Sequence, residues 1–200
     1  ERGRQRWTDQ TRSSSRPVNH RDGELRLNAQ VPKGPDMVEK LVLLSPAGIE
    51  VFTEAEGKWL KGIMTADFIK KSSPQQIRFN IGLNFHSWRT EYEWIVNERL
   101  ALGKAKEFGA YANAVAHGVR AMLNEPVHGR LNEVSVHTLV IAGENDKLIP
   151  NGFLHKATTR DVMESGVRQM NNARLLLLPK AGHMIQLEKS SEVNQAIISF

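Results

Sequence analysis

The sequence of 200 residues contains no cysteine. That absence excludes a disulfide framework, a thiolate metal site and a cysteine nucleophile. It suits a reducing compartment such as the cytoplasm without requiring one, because many small secreted proteins also lack cysteine. The cysteine content therefore leaves the compartment of the protein open.

Long apolar runs are missing as well. No stretch approaches the roughly 18 consecutive apolar residues that a membrane-spanning helix requires. The first residues contain no apolar core of a signal peptide. We therefore expect no membrane span. The chain begins at Glu1 rather than at methionine, so we expect it to be a piece of a longer protein.

The positive charge of the chain is concentrated at one end. Residues 1–33 contain eight Lys or Arg and four acidic residues, which leaves nineteen basic and eighteen acidic residues in the rest of the chain. A protein that binds nucleic acid or a membrane surface carries a basic patch on its folded part. Since the remainder is nearly balanced, we expect neither partner.

Residues 1–35 differ in composition from the rest of the chain. They are rich in Arg, Ser, Gln and Asn and show no apolar periodicity. Such a segment buries too little apolar surface to offset the entropy lost on ordering. We predict a low-complexity basic tail over 1–35 that is either disordered or not native to the domain. Residues 36–200 form the predicted folded portion.

Three short apolar runs predict buried strands, at 38–44, 136–142 and 173–178. A glycine or proline closes each run. An unbroken apolar run is typical of a strand that is covered on both faces, as in a parallel sheet. Because helical patterns separate the runs, we predict an α/β fold.

The gap between the first two runs is too long for a simple crossover. In residues 108–123 apolar side chains recur at steps of three and four, which predicts a helix with one apolar face. A second helix is predicted over 91–102, and later ones over 158–170 and from 192 onward. We predict that residues from about 50 to 130 form a helical cap inserted between two strands.

An aspartate and a histidine follow two successive predicted strands. Asp146 comes after the second run and His183 after the third. Ligands of an open parallel sheet bind beyond the carboxyl ends of its strands. A carboxylate there could hold the imidazole as a general base toward a hydroxyl nucleophile. Taken alone, each residue is also compatible with an ordinary loop position. Glu144 is an alternative acid, and we expect Asn145 to shape the turn.

Three motifs carry a resemblance to a known superfamily. They are Leu43-Leu44-Ser45-Pro46-Ala47-Gly48, Gly143-Glu144-Asn145-Asp146-Lys147-Leu148-Ile149-Pro150, and Ala181-Gly182-His183 followed by Glu188. They resemble a strand end, the acid turn and the histidine turn of α/β hydrolases that have a helical cap. The resemblance covers residues 36–200. It implies the last three strands of the α/β-hydrolase parallel sheet with a cap insertion, Asp146 as the acid and His183 as the base.

The nucleophile of that superfamily is not found in this chain. The superfamily carries it in a Gly-x-Ser-x-Gly motif, about 20–30 residues before the position of Val38. No such motif occurs in the sequence. The resemblance therefore implies a hydrolase of ester-like or related bonds with a Ser-His-Asp triad, whose serine lies in sequence not present here. The chain alone is expected to be inactive. The alternative is a non-catalytic relative that uses its pocket for binding or scaffolding.

The expected partner is a small molecule that is apolar or contains an acyl group, because the cap region is rich in apolar and aromatic residues. Phe85, Trp88, Trp94 and Phe108 either line its pocket or pack the core of the cap.

The six histidines other than His183 show no metal-ligand spacing, so we expect no metal site, and nothing indicates a cofactor. The oligomeric state is open.

Overall fold

The structure, a computed structural model, describes residues 38–200. The predicted tail over 1–35 lies outside the described residues, as do Ser13 to Ser15 and His20. The three predicted strands form β1 (Lys40–Leu44), β2 (His137–Gly143) and β3 (Ala173–Leu178). They make one parallel sheet in the order β1-β2-β3. The predicted parallel α/β architecture is confirmed.

The central strand β2 is buried on both faces, which explains its unbroken apolar run. Val140 and Ala142 belong to one core cluster, which includes Met163 of the crossover helix. Leu139 and Ile141 belong to a second cluster on the opposite face, which includes Ile185. Side chains alternate between the two faces of a strand, which explains why Leu139, Val140, Ile141 and Ala142 are all apolar.

Five helices lie between β1 and β2, where the sequence predicts a helical insertion. They are α1 (Glu54–Ile63), α2 (Ala66–Lys71), α3 (Pro74–Gly82), α4 (Glu93–Leu102) and α5 (Phe108–Asn124). Short 3₁₀ turns precede α4 at Thr90–Tyr92 and follow α5 at His128–Glu133. The α5 helix packs with α2 around Ile69, Ala112 and Ala116, as its apolar periodicity indicates.

Two of the helices after β2 begin and end within a few residues of their predicted bounds, and a third, short helix was not predicted. The crossover helix α6 spans Thr159–Val167 and packs Met163 under the sheet. After β3 come a short helix α7 (Ile185–Glu188) and the last helix α8 (Ser190–Ile198). None of the helices in the described part of the chain has both the length and the apolar composition needed to cross a bilayer.

Candidate active site

The structure brings Asp146 and His183 into direct contact at the carboxyl ends of β2 and β3. The Nδ1 atom of His183 lies 2.8 Å from Oδ2 of Asp146. The Asp146 side chain is completely buried, whereas 21% of the His183 side chain remains exposed. A buried carboxylate beside a partly accessible imidazole can fix both the tautomer and the orientation of that imidazole. The catalytic role of the pair stays a prediction.

The second carboxylate oxygen of Asp146 is held by its own loop. The backbone N–H groups of Leu148 and Ile149 donate to Oδ1 at N···O distances of 2.8 and 3.2 Å. Burial of a charge is costly unless hydrogen bonds compensate for the lost water. These two donors together with His183 provide that compensation. They also prevent the carboxylate from rotating away from the imidazole.

Two glycines allow the acid loop and the histidine loop to approach each other. A β-carbon at Gly143 would lie 2.2 Å from the carbonyl oxygen of Gly182 and 2.4 Å from that of Ala181. Asn145 joins the same two loops, since its N–H donates to the Ala181 carbonyl at 2.9 Å. Its Oδ1 accepts from the Lys180 N–H at 3.0 Å. Asn145 therefore shapes the turn, as its position in the sequence suggested.

Glu144, the alternative acid, points away from this pair. Its carboxylate forms an ion pair with Arg160 of α6 at the protein surface. That ion pair also raises the pKa of Arg160 above its ordinary value, chiefly through the hydrogen bond between the two side chains. The geometry therefore favours Asp146 over Glu144 as the partner of His183.

A segment between α3 and α4 docks directly onto both loops, and we call residues 84–87 the docking segment. The carboxylate of Glu188 accepts the N–H groups of Gly182 at 2.6 Å and of His86 and Ser87 at 3.1 Å each. Lys147 Nζ donates to the carbonyls of Phe85 and His86, at 2.9 and 3.3 Å. Glu188 thus ties the helical insertion to the histidine loop.

This role of Glu188 is beyond what the sequence alone indicates. The resemblance includes Glu188 in the histidine turn, but its partners lie about a hundred residues earlier in the chain. A carboxylate five residues after His183 is the only local signal. The docking segment itself has no helical or strand periodicity that would mark it.

The aromatic residues that were predicted to line a pocket or to pack the core of the cap differ in their exposure. The ring of Phe85 is fully buried and stacks on Tyr92, with centroids 4.5 Å apart, and meets Trp88 edge-on at 5.3 Å. Trp94 is mostly exposed. Trp88 also lines a hollow of about 450 Å³ beside Lys147, together with Phe79 and Leu83. Since Lys147 directly follows Asp146, this hollow adjoins the acid loop.

Within residues 38–200 no group of three or more His, Asp or Glu side chains is arranged to hold a metal ion. His155 contacts two carboxylates. Its Nδ1 lies 2.5 Å from Glu50 Oε1, and its Nε2 lies 3.4 Å from Glu56 Oε1. The hydrogen bond to Glu50 raises the pKa of His155 above its ordinary value, although burial acts in the opposite direction.

The strand order, the helical insertion after β1 and the position of the Asp–His pair together define the C-terminal part of the α/β-hydrolase fold. Solved structures with this fold match the chain over most of its length. A probable hydrolytic enzyme from Pseudomonas aeruginosa matches with a TM-score of 0.67 and 22% identity, over 82% of this chain and 56% of that chain.

Two further solved structures have the same fold. An esterase from Exiguobacterium antarcticum has a TM-score of 0.64 and 16% identity, over 90% of this chain and 62% of that chain. The 2-hydroxy-6-oxo-6-phenylhexa-2,4-dienoate hydrolase from Rhodococcus has a TM-score of 0.64 and 15% identity, over 88% of this chain and 60% of its own. These identities show the fold alone.

One curated protein is similar in sequence. The dihydrolipoyllysine-residue acetyltransferase component of the acetoin cleaving system of Pseudomonas putida is 26% identical over 167 residues, which are 83% of this chain and 40% of that protein. No protein-family model matches the chain. The chain thus spans less than two thirds of the length of each protein compared here.

Proposed function

We propose that the longer protein to which this chain belongs hydrolyses ester-like or related bonds. In this proposal His183 is the general base, Asp146 orients it, and a serine from sequence outside this chain is the nucleophile. The observation that carries the proposal is the 2.8 Å contact between His183 Nδ1 and the buried carboxylate of Asp146. The resemblance to solved hydrolases and esterases supports it.

The geometry suits different roles for His183 and Asp146 in the proposed reaction. With its proton on Nδ1, His183 donates a hydrogen bond to Asp146 and can use Nε2 to accept a proton from a serine hydroxyl. The imidazolium that forms is then stabilised by the carboxylate, whose other oxygen accepts the N–H groups of Leu148 and Ile149. His183 later returns the proton to the leaving group.

We further propose that residues 50–130 act as the cap over the substrate. The docking segment fixes one part of these helices to the histidine loop, so the cap and the base keep a defined distance. The hollow beside Lys147 offers apolar side chains, which suits an acyl or otherwise apolar substrate. A covered site would exclude water from the reaction.

A second candidate function, which the sequence leaves open, is non-catalytic binding. The sequence contains no Gly-x-Ser-x-Gly motif. Translation of the coding DNA upstream of Asp36 in all three frames distinguishes the two functions. A serine elbow in any frame favours the enzyme, whereas an intact frame with a replaced serine favours the binding protein.

The enzymatic proposal is tested with a protein extended at its N-terminus to include that elbow, assayed with p-nitrophenyl butyrate. His183→Ala should lower kcat/KM by about three orders of magnitude or more, and Asp146→Asn by a similar factor. Glu144→Gln is the matched control, because it removes the neighbouring acid, and it should keep activity near wild type. Full activity in His183→Ala would overturn the assignment.

A further inference from the structure

A second, larger cavity lies among the helices of the insertion. It has a volume of about 540 Å³ and receives side chains from the four helices α2 to α5 and from Met64, which directly follows α1. Most of its lining is apolar, including Phe68, Ile77, Ile81, Leu102 and Val115. It shares no lining residue with the hollow beside Lys147, although α3 contributes to both. The cavity is therefore separate from the candidate active site.

Arg99 of α4 is the one cationic residue among the described residues that line this cavity. Its guanidinium lies over the rings of Phe108 and Tyr111, 4.8 and 5.2 Å from their centroids. Its Nη1 is buried and has no hydrogen-bond partner in the described part of the chain. The faces of the two rings hold the cation in place, but a ring face does not accept a conventional hydrogen bond from its N–H groups.

This buried N–H donor has lost its water without gaining an acceptor from the described residues. No carboxylate within residues 38–200 forms an ion pair with Arg99. Glu98 also lines the cavity, but its side chain is exposed. The cavity thus combines an apolar wall with one rigidly held guanidinium. The planar fork of a guanidinium matches a carboxylate, which can accept two parallel hydrogen bonds.

We propose that this cavity binds a monoanionic amphiphile, with its carboxylate on Arg99 and its hydrocarbon chain against Ile77, Ile81 and Leu102. A single cation balances a single carboxylate, and the volume lies in the usual range for small-molecule sites. The inference is independent of the proposed hydrolysis, because neither Asp146 nor His183 takes part in it. Its test measures binding and needs no catalytic activity.

The experiment titrates the 200-residue chain with octanoate and with 1-octanol, which has the same chain length without the charge, by isothermal titration calorimetry. The wild type should bind octanoate at least about tenfold more tightly than octanol. Arg99→Gln should remove that preference by weakening octanoate alone, and Arg99→Lys should retain part of it. Arg168 is exposed and is not part of the cavity lining, so Arg168→Gln is the control and should bind as wild type does.

A variant of opposite effect keeps the test decisive if Arg99→Gln does not fold. Glu98→Gln removes the negative charge next to the site and should raise octanoate affinity by about two- to fivefold, with octanol unchanged. Equal binding of octanoate and octanol by the wild type overturns the proposal. Unchanged octanoate binding in a folded Arg99→Gln protein overturns it as well.

Discussion

At the scale of single residues, the candidate site requires a glycine at position 182. Gly182 lies between the histidine loop and the docking segment, where there is no room for a side chain. A β-carbon there would lie 2.5 Å from the His86 nitrogen, 2.7 Å from the Phe85 carbonyl carbon and 2.8 Å from the Asn84 oxygen. All three atoms belong to the backbone, so a rotamer change cannot relieve the contact.

We therefore predict that Gly182→Ala displaces the docking segment and lowers the free energy of unfolding by about 2 kcal/mol. The control is Gly62→Ala in α1, where a β-carbon would meet nothing within 4 Å. That control should be neutral or slightly stabilising, because alanine favours a helix over glycine. Urea unfolding measures both variants. Equal stability of Gly182→Ala and wild type would contradict the close approach described above.

Residue identities at the site could be predicted only in part. Asp146 and His183 are recognisable because each follows a buried strand and has glycines nearby. The partners that hold them could not be predicted, because Glu188 and the docking segment meet across about a hundred residues. Arg99 was also missed. An arginine beside a glutamate on a helix gives no local sign that one of its nitrogens is buried.

At the scale of elements, apolar patterns predicted the strands and the long helix α5, and capping motifs explain helix starts that periodicity missed. Thr53 and Glu56 form a capping box at the start of α1, as do Ser73 and Gln76 at the start of α3. This S/T-x-x-E/Q pattern is readable in sequence. The α3 helix contains no buried residue, which is why its apolar pattern is weak.

One contact between elements should respond to pH. His155, in the loop after β2, lies between Glu50, in the segment before α1, and Glu56 of α1. Glu50 also accepts the Asn151 N–H at 2.7 Å, and the ring of Phe52 lies 5.4 Å from that of His155. The cluster thus fastens the start of the helical insertion to the loop that contains Asp146.

The sign of the effect follows from the raised pKa of His155, whose main cause is the hydrogen bond to Glu50. A raised pKa means that the folded state binds the proton more tightly than the unfolded state. The stability that protonated His155 contributes is therefore fully present below pH 6.5, the ordinary pKa of a histidine. It is lost as pH rises through the higher pKa of His155 in the folded state.

We expect His155→Gln to lower the free energy of unfolding by about 1 kcal/mol more at acidic than at alkaline pH. Urea unfolding below pH 6.5 and well above it measures the difference. Glu50→Gln keeps an oxygen for the Asn151 N–H but removes the charge, so it should reduce the same pH dependence and leave the smaller part that Glu56 contributes. Addition of His155→Gln to that variant should therefore change the pH dependence less than it does in the wild type. If the destabilisation caused by His155→Gln instead increased with pH, the predicted direction of the pH dependence would be wrong.

At the scale of the whole molecule, the sheet has an open side. The pairing partner of β1 is β2 alone within residues 38–200, although the apolar run of β1 resembles that of a central strand. Leu41, Val42 and Leu43 are only half buried. The fold class could be predicted because three parallel strands leave a strong pattern. The residues that cover β1 could not be predicted, because an apolar run does not indicate which residues pair with it or pack against it.

The open edge of β1 predicts that copies of the chain associate with one another. The Ser45 N–H donates to the Ile141 carbonyl, and N–H groups alternate between the two sides of a strand. The Val42 N–H therefore points away from β2, to the side on which residues 38–200 supply no further strand, whereas the Leu43 N–H points toward β2. An apolar edge of this kind pairs readily with another chain. We expect the 200-residue chain to self-associate through β1.

Val42→Pro should reduce this self-association, because proline removes the outward N–H and is tolerated at the edge of a sheet. Val42→Ala is the matched control, since it shortens the side chain but keeps the N–H, and it should associate as wild type does. Leu43→Pro should unfold the sheet, because it removes an N–H directed at β2. Sedimentation velocity at a low and a high protein concentration measures association, and circular dichroism verifies folding. If Val42→Pro is folded and associates as strongly as Val42→Ala, the contact lies elsewhere on the surface, and β1 is not the edge that brings the copies together.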